Sequence, residues 1–192
     1  FQSLYEPGAK KRWSMPKEED IIGCKIAAID PFFLEETQAT AELCVKYNKS
    51  YVTIDSKHDS YLHQHCAVNV VSKECTESDG YKDKSIEEIY ELLVASTDGL
   101  VIITSGENDM IYGRKGQLMK RMKPFSVDVK STLGAGDTFK AGCVYGLLHG
   151  MEDDELVRFA SACSAIAISR FPLPLNPPTL LEVNSLLENT KK

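Results

Sequence analysis

Thr132-Leu133-Gly134-Ala135-Gly136-Asp137-Thr138-Phe139-Lys140-Ala141-Gly142 joins a glycine-rich turn, a carboxylate and the start of a helix in one short run. Gly134 and Gly136 allow backbone angles that side chains forbid, so successive N–H groups can converge on one point at the N-terminus of the helix that follows. Such a point attracts anions. Asp137 stands beside it, where a carboxylate can accept the proton of a hydroxyl that attacks a phosphate. The run thus places charge stabilisation at Gly134, Ala135 and Gly136 and acid–base chemistry at Asp137, the pairing that phosphoryl transfer needs. A bare Gly-x-Gly before a helix also serves as a mere tight turn, and an acid in a first helical turn is favoured by the macrodipole alone. It is the full run that carries the reading.

Around this run, strands alternate with helices. Residues 24–29 are short, apolar and stopped by Asp30-Pro31, which reads as a buried strand. Residues 34–47 repeat apolar side chains at helical spacing (Leu34, Ala39, Leu43, Tyr47) with acids on the other faces. Strands are expected at 50–54, 67–71 and 99–104, the last being the clearest buried strand, with a helix over 86–96. Met110–Tyr112 and Gln117–Met119 flank a polar Gly113–Gly116 turn and read as a hairpin, so the sheet is mixed. Helices follow at 137–149, ended by Gly150, at 153–169, and at 178–189 with proline in the first turn. This order predicts a single α/β domain over residues 1–192, a doubly wound, mostly parallel sheet with ligands beyond the carboxyl ends of its strands.

The chain has 192 residues, 43% of them hydrophobic, enough for one substantial core and too few for two complete domains. Its net charge of −6 is scattered and forms no basic stripe, which argues against nucleic acid. No apolar run approaches the roughly eighteen residues of a membrane span, and FQSLYEPGAKKRW lacks a signal peptide's apolar stretch, so a cytoplasmic protein is expected. Six cysteines without a C-x-x-C pair read as reduced, mostly buried thiols. His63 and His65, one residue apart with no other donors nearby, read as lying on a solvated segment in preference to a metal site. A Rossmann dinucleotide fold is disfavoured, because no G-x-G-x-x-G joins an early strand to a helix.

The run TLGAGDTFKAG resembles the signature D-T-x-G-A-G-D-x-F-x-A-G of the ribokinase-like (PfkB) carbohydrate kinases. Further segments fall in that family's order: EPGAK resembles its G-A-N segment, YVTIDSKHD its mid-chain strand ending in aspartate, and IITSGENDMIYG its T-x-G-x-x-G-x-x-Y segment. The resemblance implies ATP and Mg²⁺ as cofactors, a small sugar as substrate, Asp137 as catalytic base, and Thr104, Ser105 and Gly106 bordering the nucleotide. The family's N-x-x-E motif is altered here to Val71-Ser72-Lys73-Glu74-Cys75-Thr76-Glu77, similar to the V-S-K variant of ketohexokinase-like members. Glu74 and Glu77 suit a hydrated magnesium ion, which keeps its waters and takes one or two carboxylates, and they suit a solvated helix start equally well.

Two departures limit what the resemblance carries. Ser131 stands where the signature begins with aspartate, so a monovalent-cation requirement does not transfer. Members of the family are longer, and this chain resembles their second half, with the early glycine motif and most sugar contacts outside it. The expected function is ATP-dependent phosphorylation of a sugar hydroxyl as part of a longer protein, with a homo-oligomer or a complementing N-terminal half as partner. The alternative is a nucleotide-binding or assembly module without kinase activity of its own.

Overall fold

The computed structural model describes residues 14–190; EPGAK lies outside them. Six strands form one sheet in sequence order: β1 (Ile26–Ile29), β2 (Ser50–Ile54), β3 (Val68–Val71), β4 (Leu100–Ser105), β5 (Asn108–Gly113) and β6 (Lys120–Met122). β1 to β4 run parallel, while β5 and β6 are antiparallel additions. The helices are α1 (Glu18–Gly23), α2 (Glu35–Lys46), α3 (Tyr61–Gln64), α4 (Lys73–Thr76), α5 (Ile86–Ala95), α6 (Ala135–Leu148), α7 (Asp153–Ile168) and α8 (Leu180–Asn189).

Period-two alternation assigns each strand residue to a face. Val52, Ile54, Val68, Val70, Leu100 and Ile102 pack with Phe139 and Cys143 of α6 and with Leu156, Val157 and Ala160 of α7. Val71, Val101, Ile103 and Ile111 meet Ile89, Tyr90, Leu93 and Val94 of α5 on the other side. Tyr51 and Ile29 continue that second face toward Ala41 and Cys44 of α2. Leu100 to Ile103 are completely buried, each worth about 1.5–3 kcal/mol relative to exposure, which is why this segment is an unbroken apolar run. The parallel crossovers all lie on one face; α6 and α7, which follow the last strand, cover the other.

Local chemistry fixes the element ends. In α5, Ser85 Oγ accepts the Glu88 N–H and Glu88 accepts the Ser85 N–H at 2.7 Å, a reciprocal capping box. The last helix is shorter than expected: Thr179 caps it with Glu182, so Pro177 and Pro178 precede the helix and do not enter its first turn. Arg170 also donates to Glu182 at 2.7 Å, and with Thr179 it holds that carboxyl down at about 2. Arg114, just past β5, grips Asp153 with two nitrogens at 2.8 and 2.9 Å and ties the hairpin to the start of α7.

The expected hairpin is corrected in register. Its second arm is Lys120–Met122, because the chain turns at Gly116 (φ 76°) and Leu118 is left exposed. A second hairpin, unforeseen from sequence, joins β4 to β5 through Gly106 (φ 61°) and Glu107. His63 is also corrected: it is fully buried, not solvated. Its Nε2 bonds the Leu93 carbonyl at 2.9 Å and its Nδ1 lies 2.8 Å from Asn69 Nδ2, so a pair of polar partners makes burial affordable. His65 is exposed. All six cysteines are free, four of them buried, and burial pushes the Cys66 thiol up to about 12. Among the described residues no helix is long and apolar enough to cross a membrane.

Candidate active site

Because β1 to β4 are parallel, their carboxyl ends open on one edge of the sheet, and α6 begins there. Gly134 caps α6 in the left-handed region (φ 81°), a conformation that costs any other L-residue about 1–2 kcal/mol. The turn is braced throughout. Ala135 N–H donates back to the Thr132 carbonyl at 3.1 Å, Thr138 donates from both N–H and Oγ1 to the Gly134 carbonyl, and Ser164 Oγ of α7 donates to the Ala135 carbonyl at 3.1 Å. Of the three expected anion donors, the Ala135 amide is therefore committed to the turn itself. The N–H groups of Gly136 and Asp137 belong to the first turn, which has no intrahelical acceptors to offer them. A Cβ on Gly136 would stand 3.0 Å from Ile54 Cδ1, so glycine there lets α6 seat against the end of β2.

Asp137 projects to solvent, its side chain 76% exposed. Lys140, one turn later on the same helix, is buried, and its ammonium pairs with the Asp30 carboxylate at the end of β1 while standing 3.9 Å from Asp137 Oδ1. Neither Asp30 nor Lys140 was singled out from sequence. For Asp30 the only signal was its place at a strand end, and Lys140 carried none beyond its place in the glycine-rich run.

The end of β2 adds a third carboxylate. Asp55 sits in the left-handed region (φ 50°) and its Oδ1 accepts the Ser72 N–H at 2.7 Å. Burial raises its carboxyl above the usual range; the Ser72 hydrogen bond opposes this and the nearby Glu74 charge adds to it. Glu74 therefore shares a neighbourhood with Asp55. Glu77 lies 3.5 Å from Lys73 and lines a cavity of about 690 Å³ together with Ile86, Ser105, Ile111 and Arg121. Ile86 and Ile111 belong to the α5 face, so the cavity that Glu77 lines lies on that side of the sheet.

The Thr104-Ser105-Gly106 segment divides in the same way. Thr104 Oγ1 donates to the Val71 carbonyl at 3.4 Å, across the ends of β3 and β4, and Gly106 makes the turn. Ser105 is among the residues that line the α5-side cavity with Glu77, and its buried Oγ has no hydrogen-bond partner. Exposed Leu133 and the Leu173 side chain, 2.7 Å from a Cβ built on Gly134, give the glycine turn an apolar border.

Residues 31–177 match the family model described as pfkB family carbohydrate kinase. The 5-dehydro-2-deoxygluconokinase of Shouchella clausii is 33% identical over 103 residues, which are 53% of this chain and 31% of that protein. Among solved structures, Arabidopsis thaliana ribokinase with ribose and ATP superposes with a TM-score of 0.80 at 17% identity, over 93% of this chain and 62% of that one. An E. coli protein described as a ribokinase II, with ATP and Mg²⁺, gives 0.76 at 14% identity, over 90% and 61%. These superpositions show the fold. The chain spans about three fifths of the length of those two structures and aligns with about a third of that curated relative.

Proposed function

The chain belongs to the pfkB family of carbohydrate kinases, and from that premise we propose that it forms the nucleotide-binding, catalytic part of an ATP-dependent kinase acting on a hydroxyl of a sugar or sugar-like substrate. The observation that carries the reading is the union, at the carboxyl edge of the parallel strands, of a left-handed Gly134 cap, a Gly136 that seats the first turn of α6 against β2, and the exposed Asp137 carboxylate on one helix start. Asp137 takes the proton of the acceptor hydroxyl. The backbone around Gly134, Ala135 and Gly136, chiefly the Gly136 amide, receives the charge that builds on the transferred group. Thr104 and Gly106 border the nucleotide on the facing strand ends.

Mg·ATP supplies the phosphoryl group and the metal's charge. The donor set fits a hydrated ion: Glu74, with Asp55 close by, offers the one or two carboxylates that Mg²⁺ takes while it keeps its waters. Glu77 was expected to help hold this ion and Ser105 to border the nucleotide; both line the α5-side cavity.

A second reading has its own support. Among the described residues β1 is an edge strand with one side unpaired, and Phe32 and Leu34 just beyond it are exposed, so the chain also suits a module completed by an N-terminal half or another copy. The two readings part on one assay: ADP formation with ribose and with 5-dehydro-2-deoxygluconate, by the chain alone and mixed with an N-terminal ribokinase segment. Sugar-dependent ADP from the chain alone refutes the module. In the active form, Asp137→Ala lowers turnover by about a hundredfold or more, the usual worth of a general base, while calorimetric Mg·ATP binding is kept. Wild-type turnover in that variant refutes Asp137 as the base.

A further inference from the structure

Lys140 is unusual among the charged residues of this molecule. Its side chain is only 9% exposed on a helix whose neighbouring Phe139 and Cys143 are buried in the core, and an ammonium is costly to bury unless it is paired. Its partner Asp30 is fixed in turn. The Asp30 carbonyl accepts the Thr37 hydroxyl at 2.6 Å, which anchors the end of β1 to α2, and Pro31 stiffens the chain beyond it. The ammonium thus stands between one carboxylate that the fold holds and a second, Asp137, that it leaves in solvent. From β2 the nearest ionisable residue is Asp55, next to the Ile54 that touches the Gly136 position; α7 presents Leu156, Ala160 and Ser164 to α6, none of them charged.

We propose that Lys140 is a positioning residue of the phosphoryl-transfer site: Asp30 clamps its buried ammonium at the junction of β1 and α6, and the ammonium holds Asp137 where the acceptor hydroxyl is deprotonated. This rests on the reading of Asp137 as base. It joins residues 110 positions apart into one device. A lysine kept for stability alone would alter the folded fraction and leave the turnover of folded molecules untouched.

The test is a double-mutant cycle on the active full chain with Lys140→Met, Asp30→Asn and the pair, each checked for folding by thermal melts. Met keeps the volume of the lysine stem, and Asn is a mild change at the partly exposed Asp30. Each single variant lowers kcat by roughly tenfold to a hundredfold, the scale of a small displacement at a reacting centre, with KM for Mg·ATP within about twofold. The double variant falls no further than the worse single one, because both act through the same pair. Wild-type kcat in Lys140→Met, or a double variant whose loss is the product of the single losses, overturns the proposal while Asp137→Ala still identifies the base. If Lys140→Met does not fold, Asp30→Asn decides: an unchanged kcat there overturns the proposal. Absence of sugar-dependent ADP from every wild-type form overturns the functional reading, and this proposal with it.

Discussion

Gly142→Ala tests the packing that carries the site. Gly142 lies on α6 where that helix crosses α7, and a Cβ there would stand 2.7 Å from the Ala160 Cα and 3.1 Å from its Cβ. Ordinary contact begins near 3.4 Å, so the helices must part by about 0.7 Å, and the obstacle is backbone, which cannot rotate aside. A Cβ built on Gly146 would likewise stand 2.8 Å from Leu156 Cγ, so the whole seam is packed to the limit that glycine allows. Alanine in a helix interior gains about 1 kcal/mol over glycine. Overpacking costs about 1–3 kcal/mol, and a rigid neighbour puts this site near the upper figure. The net is a loss of about 2 kcal/mol, or a fall of about 4–8 °C in Tm for a chain of this size. Thermal melts by circular dichroism measure it, with Gly23→Ala as the control, since a Cβ at Gly23 meets nothing within 4 Å. A Gly142→Ala protein that melts at or above the wild-type temperature refutes the reasoning.

Gly134→Ala should cost about 1–2 kcal/mol for the left-handed cap, the Leu173 methyl 2.7 Å away being able to swing clear, and should weaken Mg·ATP binding in calorimetry; unchanged stability and affinity would show that the turn tolerates a side chain. Burial holds His63 below its ordinary imidazole range, so the unfolded chain binds the extra proton more readily. The stability that neutral His63 contributes is full above its unfolded value near 6.5 and declines as the pH falls below it. Urea unfolding between roughly pH 7.5 and 5 should therefore lose more stability in the wild type than in His63→Gln, and equal pH slopes would contradict this.

Sequence alone determined the elements whose cause is local. The apolar run at Leu100–Ile103 is a strand because it is buried on both faces, and Gly134 announces the turn before α6 because its left-handed φ suits glycine, whereas Gly136 lies inside the helix, where its missing Cβ makes room for Ile54. For the same reason the glycine turn and Asp137, contiguous in the chain, were legible together as one helix start. The β4–β5 hairpin was missed because its turn at Gly106 lies inside a stretch that also resembles a nucleotide-binding loop. Tertiary structure decided everything that depends on which side chains face each other. A histidine two residues from another reads as solvated until Asn69 and the Leu93 carbonyl are brought to it. Glu74 and Glu77 look like a pair in the sequence, yet one lies by Asp55 and the other opens onto the α5-side cavity. Lys140 and Asp30 are 110 residues apart, and only the parallel stacking of β1 beneath the start of α6 makes them partners. Backbone preference is written residue by residue, whereas the pairing of charges is set by distances that exist only once the sheet has formed.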